Sequence, residues 1–245
     1  YSETDIYNHA SGTNPYRYPD LDLYSSQYLK KAYNHSDVTA EITGGGRRAK
    51  FYSNIGYYRE GDFFKFGEAK KNSIDRLNVR GNVDMTINSS ISAYVNANAT
   101  FYNAKGAKGN YWQAAATLRP NRVSPLIPLE YLDQNALAAL EMLGNTNKII
   151  DGKYFLAGTN SDQTNIIADY YAAGGSKYTS RHFQFDAGVV IDLNKTLKGL
   201  SFQTKFAVDY ATAYITSFDN TYSVYAPTWS NYGGKDVIVS LTQYN

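Results

Sequence analysis

The segment from Arg76 to Tyr102 alternates between apolar and polar side chains over almost its whole length. A period of two residues is typical of a β-strand, because successive side chains point to opposite faces. The alternation breaks once, at 88–90, so the sequence predicts two strands joined by a short turn. Each strand keeps the pattern for about 11 residues, whereas a strand of a soluble domain usually has about 5–6. This length matches the roughly 9–11 residues with which a tilted strand crosses a bilayer.

The hairpin also specifies its own register. A three-residue turn pairs Val83 with Val95 on the apolar face and Asn82 with Asn96 on the polar face. A shift by one residue would bring apolar side chains opposite polar ones along both strands. We therefore expect one register, with one apolar face and one polar face.

Two further stretches repeat this pattern, so the sequence predicts three hairpins at about 38–59, 73–103 and 181–215. Their turns are short, whereas the connections between hairpins, at about 60–72, 104–180 and 216–236, are longer. Outer-membrane barrels place short turns at the periplasmic end and long loops outside. Aromatic residues cluster at the strand ends far from the short turns, where such barrels carry an aromatic girdle: Tyr57, Tyr58, Phe101, Tyr102, Phe183, Phe185, Tyr210 and Tyr214. We expect an antiparallel transmembrane β-barrel segment.

The composition excludes several other classes of protein. The chain has 245 residues, a formal net charge of +2, no cysteine and 24 tyrosines. No run reaches the roughly 18 apolar residues of a membrane helix, and the lack of cysteine excludes a disulfide framework. The near-neutral charge implies no nucleic-acid partner. The chain starts at Tyr1 without a signal peptide and lacks a closing motif, so we expect a segment of a longer protein.

No constellation in the sequence points to catalysis. The three histidines, His9, His35 and His182, have no metal-ligand spacing, and no nucleophile motif or obligatory pair of carboxylates is present. We therefore expect no enzyme, no cofactor and no metal site.

Six polar or charged side chains of the predicted strands are candidates to line a hydrated lumen or to contact an internal plug. Burying them without partners would be costly, and the simpler alternative is a one-sided sheet whose polar face meets bulk solvent. The six candidates are Arg76, Arg80, Asp84, Asn96, Asn98 and Asp186.

The long connection at 104–180 is expected to be ordered, because it is rich in aromatic, aliphatic and proline residues. It should contain short helices at Tyr111–Leu118 and Leu132–Leu143. Exposed aromatic rings beside polar groups suit the stacking of sugars, although such rings can equally pack the loops together. The candidate ligand contacts in the loops are Trp112, Arg119, Asn121, Arg122, Tyr170, Tyr171 and Trp229, with Tyr225 as a further aromatic candidate.

Several segments resemble one family of bacterial transporters. The hairpin ITGGGRRAKFYSNIGYYREG, the strand DRLNVRGNVDMTIN and the downstream segments WQAAATLRPNRVSPLIP, DQTNIIADYYAAG and FQFDAGVVIDLNKTLKGLSF are similar to the mid-barrel of SusC-like TonB-dependent outer-membrane transporters of Bacteroidetes. The likeness covers about residues 16–230 and rests mainly on the combination of hairpin and strand.

The resemblance implies a 22-stranded barrel with an N-terminal plug, of which this chain would supply about six or seven strands and its long extracellular loops. It also implies import of oligosaccharides, energised by TonB through a plug segment that this chain lacks. The implied partners are a SusD-like surface lipoprotein that forms a lid on the loops, an oligosaccharide ligand, the lipid bilayer and lipopolysaccharide. The loop candidates could then contact the ligand or the lid.

Two alternatives remain open. The same architecture could import peptides. A secreted β-rich glycan-binding module is also possible, and there the apolar faces would pack against each other about 10 Å apart. In the transporter, by contrast, residues 77–87 and 91–101 would place their apolar side chains against lipid, with the turn at 88–90 at the periplasmic end.

Overall fold

A computed structural model describes residues 2–146 and 148–245. The described residues form eleven strands, in chain order β1 (His35–Gly45), β2 (Ala49–Glu60), β3 (Ser73–Thr86), β4 (Ile91–Ala107), β5 (Leu126–Pro128), β6 (Ile149–Ile150), β7 (Tyr154–Leu156), β8 (Gly174–Asp192), β9 (Ser201–Asp219), β10 (Val224–Tyr232) and β11 (Lys235–Tyr244). They also form four α-helices, α1 (Glu3–Ser11), α2 (Tyr111–Thr117), α3 (Leu137–Gly144) and α4 (Ile166–Ala172). None of the helices in these ranges is long and apolar enough to span a membrane.

One extended antiparallel sheet dominates the fold. Its strands run in the order β1-β2-β3-β4-β8-β9, so neighbours in space are also successive long strands along the chain. The two edge strands, β1 and β9, each pair on one side only within the described residues. The predicted antiparallel β class is confirmed, and the sheet is open rather than closed on itself.

The register predicted for the central hairpin is confirmed. Val83 pairs with Val95 and Asn82 pairs with Asn96. The side chain of Asn88 holds the turn, because its Oδ1 accepts the backbone N–H groups of Ser90 at 2.8 Å and Ile91 at 2.9 Å. This Asx-type turn explains how a polar tripeptide can fix two long strands in one alignment.

The strands extend beyond the predicted hairpin bounds. β8 begins at Gly174 rather than near 181, and β9 continues to Asp219 rather than ending near 215. The apolar alternation ends earlier because the added residues are mostly polar. Backbone pairing does not require apolar side chains, so the ladder continues through these polar rows.

Two loop expectations need correction. The stretch 216–236 was expected to be a loop, but it contains all of β10 and the start of β11, paired around Gly233 and Gly234. Both glycines have positive φ, 60° and 90°, as such a hairpin turn requires. The helix expected at Leu132–Leu143 begins only at Leu137, because the preceding residues form a turn.

The connections outside the long sheet fold together at one of its ends. We call residues 2–34, 61–72, 108–146, 148–173 and 220–245 the loop unit. Its three buried apolar clusters combine residues from several of these segments, for example Leu23, Phe64, Tyr111 and Ile167 in the first cluster. The expectation of an ordered long connection is therefore correct.

The apolar face of the long sheet remains uncovered. Val38 is 61% exposed, Phe206 is 63% exposed and Phe202 is 52% exposed, although all three lie on that face. Helices contact the long strands mainly at β4 and β8. Within the described residues, no second sheet packs on this face as a β-sandwich would require.

Candidate functional site

Side chains on the apolar face form a continuous band across the sheet. The strand registers align Tyr57, Leu77, Phe101 and Arg181 in a row at its outer boundary. At the turn end, Ile91, Ile191 and Phe202 form the last row, to which Ile87 adds through its N–H bond to the Ile91 oxygen. We call the surface between these two rows the apolar band.

The height of the apolar band follows from strand geometry. Leu77 on β3 and Ile87, one residue beyond the end of β3, bound it and are ten residues apart. At about 3.4 Å per residue this is about 34 Å along the strand, which would correspond to a height of about 26 Å at the strand tilt of about 40° found in outer-membrane barrels. Outer-membrane barrels carry an apolar band about 25 Å tall.

Polar groups end the apolar band on its outer side. The next row contains Arg59, Asp75, Asn103 and Thr179, which face the same way as the band. The Arg59 Nε lies 3.7 Å from the Asp75 Oδ1, and Thr179 donates a hydrogen bond to the Asn103 Oδ1 at 3.4 Å. The band therefore ends at this row on β2, β3, β4 and β8, whereas Tyr214 occupies the same row on β9.

Arg181 lies at this edge with its charged group directed away from the band. Its Nη1 donates to the backbone oxygens of Tyr102 at 3.0 Å and Ser180 at 2.7 Å, and its Nη2 donates to Asn103 at 3.1 Å. The guanidinium carbon lies 5.5 Å from the centre of the Phe101 ring. Arginine thus satisfies its donors while its stem stays on the apolar surface.

The opposite face carries a chain of polar contacts across four strands. Asn82 donates to the Asn96 oxygen, and Asn96 donates to the Asp186 Oδ2 at 3.1 Å. Arg80 donates to Asn82 at 3.0 Å at one end, and the Lys205 Nζ lies 3.7 Å from Asp186 at the other. These side chains hold one another in place on β3, β4, β8 and β9.

Part of this polar face forms an open depression of about 580 Å³. The charged side chains that line it are balanced, since two are cationic and two are anionic: Arg80, Lys205, Asp186 and Asp209. Asparagine and glutamine amides supply most of the remaining polar groups. The pocket can therefore make hydrogen bonds in both directions without a strong net charge.

Four of the six candidates for the lumen line this pocket, namely Arg80, Asn96, Asn98 and Asp186. Arg76 and Asp84 lie on the same face, in rows toward the outer end and the turn end. The Arg76 guanidinium carbon lies 5.3 Å from the centre of the Tyr58 ring. Gln184, Lys205 and Asp209 also line the pocket. Their alternate positions along β8 and β9 indicate in the sequence that they share this face.

Tyr170 does not fit the role of a ligand contact. Its side chain is only 3% exposed and stacks on Phe66 with ring centres 5.5 Å apart. Burial raises the pKa of Tyr170 to about 12, as expected for a phenol inside a core. The residue stabilises the loop unit, because its helix turns this side inward with Ile166 and Ile167.

Tyr225 and Trp229 also pack inside the loop unit. Tyr225 is 2% exposed and belongs to the second apolar cluster. Trp229 is half-buried, and its ring lies edge-on to Tyr131 with centres 5.4 Å apart. Packing, the alternative recognised for loop aromatics, accounts for both residues.

Trp112 remains accessible. It is 47% exposed, and its ring centre lies 6.4 Å from that of Tyr24, which is 60% exposed. The buried Phe64 packs against Trp112, with the two ring centres 6.0 Å apart. Tyr24 is not among the residues predicted from the sequence, since only the fold brings it beside α2.

The remaining loop candidates lie at separate places. Arg119 and Arg122 line a cleft of about 350 Å³, where the Arg122 Nε lies 2.6 Å from the Asp162 Oδ2. Tyr171 is half-buried and lines a different cleft of about 420 Å³. Asn121 is exposed in the turn between the two arginines. The structure therefore does not gather the seven loop candidates into one site.

A metal site in the described residues would require several histidines or carboxylates close together. In residues 2–146 and 148–245, no group of three His, Asp or Glu side chains could hold a metal ion. His182 lies 2.6 Å from the Asp209 Oδ1 on the polar face, and His9 lies 3.0 Å from the Pro19 oxygen. These contacts bind neighbouring segments to one another.

Comparisons with known proteins add no family to this description. No model of a known protein family matches the chain, and no curated protein is similar to it.

Proposed function

We propose that this chain forms part of the wall of an outer-membrane active importer of oligosaccharides. In this proposal it is a segment of a SusC-like barrel that works with a SusD-like surface lipoprotein and takes energy from TonB. The observation that carries the proposal is the uncovered apolar band, about 34 Å long along the strands, on the reverse of a polar face that holds an open depression. In a membrane wall the apolar band would contact lipid, and the polar face would contact water.

The apolar band argues against exposure to water. Soluble monomers rarely expose a continuous apolar patch of more than a few hundred Å². Here large side chains such as Ile55, Phe183 and Tyr210 remain exposed on a surface that crosses six strands. A hydrocarbon environment removes the cost of exposing this surface to water. The polar row that contains Asp75 and Asn103 would then lie at the level of the lipid headgroups.

The polar face supports a hydrated conduit for neutral ligands. Its pocket balances two cationic against two anionic side chains and offers several amides. Such a surface can exchange hydrogen bonds with sugar hydroxyls or with a polar plug at little cost. Peptide import is the second candidate, because backbone amides would find the same donors and acceptors.

The loop unit supports contact with a surface partner. It exposes apolar side chains that its own core does not need, including Tyr24 at 60%, Trp112 at 47% and Leu137 at 73%. A lipoprotein lid over this end of the sheet could cover them. A secreted glycan-binding module, in contrast, would still need a second layer over the apolar band.

Membrane partition tests the first part of the proposal. The protein that contains this chain should appear in the outer-membrane fraction of its cells and require detergent for extraction. Recovery of folded protein in the aqueous phase without detergent would refute a role in the membrane wall.

Uptake tests the second part of the proposal. Cells should accumulate a labelled oligosaccharide only when both this protein and TonB are intact. Accumulation of labelled peptides but not of oligosaccharides would favour the second candidate, and uptake that persists without TonB would exclude the proposed energy source.

A further inference from the structure

Lysine side chains concentrate just outside the apolar band. Lys105 on β4 and Lys177 on β8 are directly opposite in the register and face the same way as the band. Together with Lys71 and Lys148 they line the cleft of about 420 Å³. This cleft lies where the long sheet meets the loop unit.

The pair of opposed lysines is unfavourable by itself. Like charges directly opposite on neighbouring strands destabilise a sheet, because the two charged side chains repel each other. In the described residues, neither Lys105, Lys177 nor Lys148 has a carboxylate partner within salt-bridge distance. A bound anion would offset the repulsion that the fold imposes here.

The carboxylate of the cleft does not neutralise it. Glu68 is the acidic residue among the lining side chains, and its Oε2 lies 2.7 Å from the Lys71 Nζ. The hydrogen bond from Lys71, with further help from Lys148 and Lys70, lowers the pKa of Glu68. Four lysines therefore face one carboxylate that is already paired.

The cleft combines this charge with apolar surface and room. Tyr171 and Phe218 line it beside the lysines. Glycine leaves the base of the cleft free of a side chain at position 175. A Cβ at Gly175 would lie 2.7 Å from the Gly106 oxygen, which is too close. A ligand with an anionic group and an apolar or sugar part fits these walls better than a small ion alone.

The level of the lysines on the sheet indicates the source of that ligand. Lys105 lies two residues beyond Asn103, in the first row outside the polar edge. From the outer row of the apolar band, which contains Phe101, Lys105 is four residues away, or about 10 Å in height for a strand tilted by about 40°, and its long side chain can reach back toward the bilayer. The headgroup region of a bilayer extends about 5–8 Å beyond the hydrocarbon on each side.

We propose that this lysine cleft binds the phosphate groups of a phosphorylated glycolipid of the outer leaflet, of the lipid A type. The proposal rests on the proposed function, since only a membrane-embedded sheet brings the cleft to the leaflet. The lysines hold the phosphates, and Tyr171 and Phe218 contact the less polar part of the headgroup.

The test uses the whole detergent-solubilised protein with diphosphoryl lipid A as the probe. The double variant Lys105→Gln/Lys177→Gln should bind this lipid roughly 10- to 30-fold more weakly at low salt. The matched control, Lys195→Gln/Lys198→Gln, removes two exposed lysines from the turn at the other end of the sheet and should change binding less than twofold. Added salt should reduce the difference between the two variants.

A melting experiment without lipid separates binding from misfolding. The cleft variant should melt at the same temperature as the parent protein or above it, because the opposed charges are gone. Equal lipid A binding by the cleft variant and the control would overturn the site. Equally tight binding of dephosphorylated lipid A, or an affinity for inorganic phosphate equal to that for lipid A, would overturn the lipid assignment.

The two proposals can fail separately. If the protein enters membranes but the cleft variant binds lipid A as well as the parent does, only the lipid site is refuted. If the folded protein stays in the aqueous phase, the proposed function fails and the lipid assignment fails with it.

Discussion

Substituting arginine for Val83 tests which face of the sheet meets lipid. Val83 lies within the apolar band, one residue from the middle of the stretch between Leu77 and Ile87. Its neighbour Asn82 lies at the same height on the polar face, next to the 580 Å³ pocket. The pair Val83→Arg and Asn82→Arg therefore places one charge at one depth on opposite sides of a single strand.

The two changes should differ strongly in cost. An arginine on the lipid face near the midplane costs about 2–4 kcal/mol in outer-membrane barrels. From Val83 the nearer edge of the apolar band is four residues away, about 14 Å along the strand, which is too far for the charge to leave the hydrocarbon completely. The Asn82 change loses hydrogen bonds with Arg80 and Asn96, and should cost about 1 kcal/mol.

Unfolding from lipid vesicles in denaturant measures this difference. At about 1.4 kcal/mol per factor of ten, the Val83 change should reduce the folding equilibrium constant by roughly 30- to 700-fold. The same ranking should appear in the amount of protein found in the outer membrane. If both variants lose the same amount of stability, or if Asn82→Arg is less stable than Val83→Arg, the assignment of faces is wrong.

Four further substitutions test the loop unit and its junction with the sheet. Replacing the buried Tyr170 by alanine should destabilise the loop unit by about 3–5 kcal/mol, whereas Trp112→Ala should cost less than about 1 kcal/mol, as measured by limited proteolysis. Gly174→Ala should loosen the outer ends of β8 and β9, since Gly174 has φ 96° and a Cβ would lie 1.9 Å from a β9 backbone oxygen; normal hydrogen-exchange protection there would contradict this. Burial raises the pKa of Asp169, so the folded state binds this proton more tightly and the loop unit should lose stability as the pH rises above about 4. Asp169→Asn keeps an acceptor for the Tyr222 hydroxyl and should flatten that dependence in thermal melts, and an unchanged slope would contradict the assignment.

The hairpins could be predicted from sequence because all the information for them is local. Alternation defines the faces, and a short turn such as Asn88-Ser89-Ser90 aligns the two strands. The strand ends could not be predicted, since residues such as Lys177 and Thr216 pair through their backbones after the apolar pattern has stopped.

The loop unit was harder to predict because its core is assembled from distant segments. The sequence predicts Tyr170 as a ligand contact because it is aromatic, but its spacing from Ile166 and Ile167 suits one face of a helix and indicates burial. Tyr24 and Trp112, in contrast, become neighbours only through tertiary packing. The opposed lysines at Lys105 and Lys177 likewise depend on the pairing of β4 with β8 across a long connection.

The composition of the first apolar cluster has a consequence for the order of folding. Leu23, Phe64 and Tyr111 lie in three connections that are separated by long strands, and Ile167 lies in the same connection as Tyr111. Tyr111 donates a hydrogen bond to the Leu23 oxygen at 2.7 Å. Each hairpin can form early from local pairing, but this cluster must wait until the strands bring the three connections together. The loop unit should therefore form last and as one cooperative step. A single proteolytic cut in any of its segments should then loosen the outer ends of strands far from the cut.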